Sequence, residues 1–562
     1  MLRSPVRGTA CVARPVWLAA LMATFHLATC ESDAAGPKFY ADDPLLEEPD
    51  TQDAGAVQPW EITPLYNGII NTFSRPGDKT QNVRAQNVNT LDEVPDSSWY
   101  TNRIGSRPIA TEDVAKGPDT CDGPGPGPWT VISAEDDGLT PKIRIRDSDG
   151  RAWHLRFDAQ GYPAMATGTQ VVVTKLIWAL GYNVPESHIA SLRPEDLVVG
   201  RDAVLTVISG RTRPMKTQDI GFVLRTAPRD RDGAYRVVAS QALPGRALGG
   251  FRFYGTRPDD PNDVIPHEHR RELRGYRVFA AWLDLVDSPA IDTVDVLVSE
   301  SGRSVVRHYL VHFDTALGSG ALGPREHWEG NEYMFEGLGP IKRDLVSFGL
   351  RVEPWRAVPV YESRTIGRLQ LGNEEWNPEA WVPRVPNPAF LRTRPDDKFW
   401  AALKLAAVTD DMIRAVVKTG QFGDPKSEDM LAKALIDRRD AIGRAYLTAI
   451  NPVVRPRLDA SAVLKFSNAA VDTGLAPASE SYRVRWYRFD NATGASTLLG
   501  EAEGADPTFE PPVELSAEPG VFVKIEICAV HPRYTWWQSP AAAYFRSTTG
   551  GWQLVGFERI PE

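Results

Sequence analysis

The chain has 562 residues, of which 42% are hydrophobic and 24% charged, with 45 Pro and 16 Trp. That length exceeds a single hydrophobic core and points to two or three domains, and the composition excludes a disordered chain. The formal net charge is −10 and becomes −13 once the three Arg of residues 1–29 are removed, which argues against nucleic acid or anionic lipid surfaces as partners.

Arg3, Arg7 and Arg14 make a basic start, followed by an apolar run from Pro15 to Ala28 that is too short for an ordinary transmembrane helix. The run ends in Leu27-Ala28-Thr29-Cys30, which resembles the lipobox of bacterial lipoproteins, with Thr29 departing from the Gly, Ala or Ser usual before the Cys. An ordinary cleaved signal peptide is the alternative. The resemblance implies a signal segment over residues 1–30, a lipid on Cys30 and attachment to a membrane through it. It also implies a place in the bacterial cell envelope, facing the periplasm or exterior. Residues 31–58 are rich in Asp, Glu, Ala and Pro and read as a disordered tether.

Residues 59–128 read as an irregular segment in which Trp99 and Tyr100 dock as aromatics, closing in the linker Gly123–Pro128. A hairpin is predicted from Lys142–Asp147 and Trp153–Asp158 about the turn Ser148-Asp149-Gly150. A helix follows over Thr167–Leu180, capped by Thr167 and closed by Gly181. Strands are predicted around Ile189 and at Ala203–Ser209, Phe222–Thr226 and Tyr235–Ala242, then a helix over Glu268–Leu285. The strands Val294–Val298 and Val305–Phe313 flank Ser301-Gly302. Residues 325–387 read as mostly irregular, and helices return at Lys398–Ala407, Asp410–Lys418 and Glu428–Ile450. From about Pro456 the pattern turns to short strands separated by turns, as in a small sandwich of fibronectin or immunoglobulin type.

The chemistry concentrates between Trp282 and Ser319. Asp287 follows a helix, Asp292 stands five residues on, and a hairpin leads to Asp314. Alternation across the hairpin brings its two ends together, and clustered carboxylates favour a divalent cation. Order and spacing resemble the protein-kinase core, and Asn183-Val184-Pro185 before a strand resembles HipA-type and phosphoinositide-kinase-like proteins. Asp287 stands where the catalytic Asp would, and Asp292 where the metal-binding Asn would. Asp314 of Phe313-Asp314-Thr315 stands in place of the Asp-Phe-Gly aspartate. Arg156 occupies the position of the nucleotide-binding Lys, and Gln170 lies near that of its Glu partner. The Gly-rich loop is missing, with Asp137-Gly138-Leu139-Thr140-Pro141 at best a stand-in. Arg is not equivalent to Lys at such a site, and Asp for Asn adds charge that binds metal but repels phosphate.

The resemblance implies an α+β fold: a two-lobed kinase-like domain with one lobe over 129–245 and a mainly helical one over 246–451, followed by the β-sandwich at 456–562. It implies Mg²⁺ or Mn²⁺ with a nucleotide, in a phosphotransferase or in a pseudokinase. A non-catalytic envelope binding or scaffold protein is the competing class, with a protein or small-molecule partner that the residues do not specify.

Other candidates are weaker. His267-Glu268-His269 lacks the spacing of the helical zinc motif, and Arg270, Arg271, Arg274 and Arg277 are expected to meet the chain's own acids rather than phosphate. Residues Arg257–Asp263 cluster oxygens that could bind calcium but lack the spacing of a calcium loop, and they read as a rigid turn instead. Cys121 and Cys528 either pair or remain free thiols, and no Cys/His spacing resembles a zinc site.

If Cys30 carries the lipid, Cys30→Ser releases the protein from membranes and abolishes lipid labelling. A soluble wild-type protein whose mature N-terminus is not at Cys30 would refute the lipid anchor.

Overall fold

The computed structural model describes residues 36–136, 140–287, 289–335, 353–372, 375–516 and 518–559. The fold is mixed α+β with several sheets. Cys30 and the apolar run before it lie outside the described residues, as do residues 137–139 of the Gly-rich-loop stand-in. Among the described residues no helix is long and apolar enough to cross a membrane.

A seven-stranded sheet carries the first half of the chain. Its strands are β1 (Trp129–Asp136), β2 (Lys142–Arg146), β3 (Ala152–Phe157), β4 (Ser187–Leu192), β5 (Leu197–Val207), β6 (Thr212–Pro214) and β7 (Tyr235–Gln241). They lie in the order β4-β7-β3-β2-β1-β5-β6, which leaves β4 at one edge. The expected hairpin is the β2–β3 pair, with Lys142 opposite Arg156. On β3, Trp153, Leu155 and Phe157 enter the core of this sheet. Strand alternation therefore turns Arg156 to the opposite face. On that side helix α3 (Met165–Ala179) packs against β3, β4 and β7. Its start is capped by Asp158 rather than Thr167: the Asp158 carboxylate accepts from the Ala164 and Thr167 amides and the Thr167 hydroxyl, each at 2.9 Å. After α3 the chain turns at Gly181, where φ is +113° and an added Cβ would lie 2.2 Å from the Tyr100 ring, so only glycine fits.

Several expectations are corrected. Residues 222–226, predicted as a strand, belong to a helical turn over Asp219–Thr226. The buried Ile220, Val223 and Leu224 fall at helical spacing, a period too short to separate from a strand by sequence. Residues 36–58 are not a free tether. Phe39 is buried among Phe489, Phe522 and Tyr544, and Ala54 and Val57 pack on Leu248 and Val306. Composition hid this because the apolar partners are supplied by distant strands. The Gly/Pro linker is likewise docked, with the Gly125 amide donating to Asp147 at 3.0 Å.

Trp99 and Tyr100 are buried, Trp99 stacking on His308 with ring centroids 3.5 Å apart. Among the described residues of the stretch 325–387, Val360–Ser363 pairs with Gly367–Gln370 in a short hairpin. Beyond residue 452 lie a three-stranded and a five-stranded sheet, and the hydrophobic cluster they join is continuous with that of the helices before them. Cys121 and Cys528 are both free thiols.

Helix α5 (Arg271–Leu283) runs through the second half with nearly every residue buried, charged ones included. Arg271 donates to Asp92 at 2.7 Å, Asp396 at 2.8 Å and Asp397 at 3.1 Å, and none of these four side chains is more than 4% exposed. The basic residues of this helix thus meet the chain's own acids. His267 is held by Asp263 at 2.7 Å and His269 by Asp78 at 3.1 Å, so the His-Glu-His run is structural. Removing one partner of a buried ion network leaves uncompensated charge. Arg271→Met should therefore cost about 3–5 kcal/mol in urea unfolding, and a loss below about 1 kcal/mol would show that the network is dispensable.

Candidate functional site

α5 ends at Asp284, whose left-handed backbone (φ +55°) stops the helix and whose carboxylate is buried against Arg325, Arg438 and Trp381. The chain then reaches Asp287 through Leu285 and Val286, whose amides donate back to the Ala280 and Asp284 carbonyls at 2.9 and 3.1 Å. Strands β9 (Thr293–Glu300) and β10 (Arg303–Leu310) pair with Thr293 opposite Leu310, and the Val311 amide donates to the Asp292 carbonyl at 3.0 Å. Asp292 and Asp314 consequently leave the same end of the hairpin.

Each candidate carboxylate meets a different basic side chain. Asp314 pairs with Arg156 at 2.9 Å across from β3. Asp292 lies 3.0 Å from His312 Nδ1. Asp287 pairs with Arg384 at 2.7 Å, and Arg384 also binds Glu329. The Thr315 side chain also favours the charged form of Asp287, against the effect of burial. Gln170 on α3 does not bind a charge. Its carbonyl accepts from the Phe313 amide at 2.7 Å and its amide donates to the Val311 carbonyl at 3.1 Å. It holds the backbone that presents Asp314.

The protonation states differ. Burial pushes the Asp287 carboxyl up to about 6, opposed by Arg384 and reinforced by Asp292 and Glu329. For Asp314, burial works upward too, but Arg156 and His312 bring it below the usual carboxylate range. Asp287, Asp292, Asp314 and Glu329 face Arg156, Arg384 and His312, so carboxylates outnumber permanent cations. Oxygen donors in negative excess fit Mg²⁺ or Mn²⁺. The three aspartates nevertheless do not bring three ligand atoms within 4.8 Å of one another. Among the described residues only Cys121, Glu186 and His188 do so.

Sequence reasoning missed His312, Glu329, Thr315 and Arg384. His312 stands two residues before Asp314, a spacing that puts both on one face of an extended strand. Arg384 sits in an irregular stretch and carries no local signal.

No protein-family model matches this chain, and no curated protein matches it. Among solved structures it is similar to the crystal structure of the golgi casein kinase, at 10% sequence identity and a TM-score of 0.26, covering 74% of this chain and 97% of that one. So low a TM-score makes the likeness weak, and it assigns neither a fold nor a role to any residue of this chain.

Because Asp287 binds its proton more tightly folded than unfolded, the folded state gains stability below pH 4, and that gain is lost as the pH rises through about 6. Asp287→Asn should remove up to about 3 kcal/mol of this decline between pH 4 and 6. Parallel stability-versus-pH curves for variant and wild type would contradict the assignment.

Proposed function

We propose that this chain is a lipid-anchored envelope protein, held to the membrane at Cys30. It carries a divergent two-lobed kinase-like domain and a closing β-sandwich, and it binds a divalent cation together with a nucleotide or other phosphorylated ligand. The observation that supports this best is the carboxylate excess where Arg156 reaches Asp314. Asp292 and Asp314 would hold Mg²⁺ or Mn²⁺, which when bound would neutralise phosphate charge. Arg156 would turn from Asp314 to a phosphate oxygen once the cation takes its place. Gln170 positions the Asp314 backbone. In a phosphotransferase, Asp287 would accept the proton of an attacking hydroxyl, and a carboxyl near 6 is suited to that task.

A second reading, a pseudokinase or non-catalytic scaffold, is favoured by a specific contact. Arg384 already engages Asp287 at 2.7 Å, and a base held in an ion pair is a poor proton acceptor.

Thermal unfolding of the chain lacking residues 1–30, with Mg²⁺ or Mn²⁺ and with and without ATP, tests both readings. A ligand bound only by the folded state raises the midpoint, by about 2.7 kcal/mol of stabilisation at a hundredfold excess over Kd. Asp314→Asn should be neutral or slightly stabilising without metal and should abolish the metal-induced rise. A metal shift without nucleotide binding or phosphate release supports the non-catalytic reading. No shift with either ligand refutes the proposed site.

A further inference from the structure

A second polar cluster lies at the edge of the seven-stranded sheet, away from the aspartates. Helix α2 (Thr111–Lys116) is followed by a loop that carries Asp119 and Cys121 past the start of β4, where Glu186 and His188 stand. Cys121 Sγ lies 3.5 Å from Glu186 Oε2, and His188 Nε2 lies 3.3 Å from the same oxygen. All three ligand atoms fall within 4.8 Å of one another. In a tetrahedral zinc site, with sulfur at about 2.3 Å and nitrogen or oxygen at about 2.0–2.1 Å, ligand atoms are separated by roughly 3.3–3.6 Å. The two measured separations have the lengths of such edges.

The surroundings are built to orient these atoms. Glu186 and His188 have side chains only 8% and 11% exposed. The other Glu186 oxygen is taken by the Thr120 hydroxyl, leaving Oε2 to face the thiol and the imidazole. Asp119 repeats this arrangement. Lys175 holds its Oδ2 at 2.7 Å, while Oδ1 is buried without a hydrogen-bond partner, 3.8 Å from His188 Nε2. Orienting partners of this kind are what metal ligands require outside the coordination sphere. The chain also passes close over His188: an added Cβ at Gly123, where φ is +101°, would lie 3.1 Å from the His188 Cβ.

We propose that Cys121, Glu186 and His188 bind one Zn²⁺, with Asp119 Oδ1 as the fourth ligand after a small inward shift. A thiolate and an imidazole select zinc over Mg²⁺ or Ca²⁺. The ion displaces the Cys121 thiol proton to solvent and ties the loop, the edge strand β4 and, through Lys175, helix α3 together. The role is structural, since four protein ligands leave no open position. No zinc spacing is legible in the sequence because Cys121 and the Glu186-x-His188 pair are far apart in the chain and meet only at the sheet edge.

The test uses the full-length chain, stripped with a chelator and then titrated with Co²⁺ or Zn²⁺. One tightly bound ion per chain is expected, with an ultraviolet thiolate-to-cobalt charge-transfer band that Zn²⁺ displaces. Cys121→Ser should abolish the band, and His188→Asn should weaken binding by at least about tenfold. Asp314→Asn should leave the band unchanged. Should the variants fail to fold, alkylation of the wild type mapped by mass spectrometry gives the same answer, with Cys528 as the reference thiol. Zn²⁺ should protect Cys121 from alkylation and leave Cys528 unprotected. Absence of the charge-transfer band, or Cys121 alkylation unaffected by Zn²⁺, overturns the proposal.

Discussion

The guanidinium of Arg271 is the constraint on which the second half of the molecule depends. It is fully buried and surrounded by Asp92 from the N-terminal segment and by Asp396 and Asp397 at the start of the helix Pro395–Ala406. Arg274 adds a second bond to Asp397 at 3.3 Å, and Arg84 one to Asp92 at 2.8 Å. Desolvating so many charges is expensive, and the arrangement is tolerable only when every partner is in place. Three segments distant in sequence are thereby required to meet in one geometry. α5 is fixed in direction as a result, and so is the point at its end where the chain turns toward Asp287.

The same rule explains why the N-terminal segment wraps rather than hangs free. Asn87 accepts from the Arg271 amide at 2.8 Å, and Glu268 accepts from the Asp78 amide at 2.7 Å. The first contact satisfies the Arg271 amide, which lies at the helix start where no carbonyl of the helix reaches it. Phe39 then reaches the five-stranded sheet near the C-terminus, so the first described residues and the last strands share one aromatic cluster. The change of pattern near Pro456 therefore does not coincide with a break in the core. Trp536 and Trp537 reinforce the join, both indoles donating to the Thr448 carbonyl, at 2.7 and 2.9 Å.

The two polar clusters differ in what balances them. At the hairpin end, Arg156 pairs with Asp314, Arg384 is shared by Asp287 and Glu329, and Asp292 lies beside His312, so every carboxylate has a basic partner although carboxylates outnumber the arginines. At the sheet edge, Glu186 is buried and Asp119 nearly so, with Lys175 as the near permanent cation, and an Asp119 oxygen has no hydrogen-bond partner. In the first arrangement each aspartate has a basic partner within hydrogen-bond distance. The second has a thiol, an imidazole and two carboxylate oxygens with less to hold them apart.

Local patterns in the sequence determined the elements that a period can encode. Alternation and the Ser148-Asp149-Gly150 turn specified the β2–β3 hairpin, helical spacing specified α3 and α5, and the Asp287, Asp292 and Asp314 spacing marked one end of the β9–β10 hairpin as polar. Tertiary structure decided what those elements meet. Arg384 reaches Asp287 from an irregular stretch, Gln170 grips backbone rather than a charge, and residues 36–58 are ordered by strands and loops hundreds of residues away. Cys121 finds Glu186 and His188 only because β4 is an edge strand past which its loop can run. The physical reason is that periodicity records which face of an element is buried, whereas the partner of a buried charge or thiol is fixed by packing across the chain, which leaves no trace in local spacing.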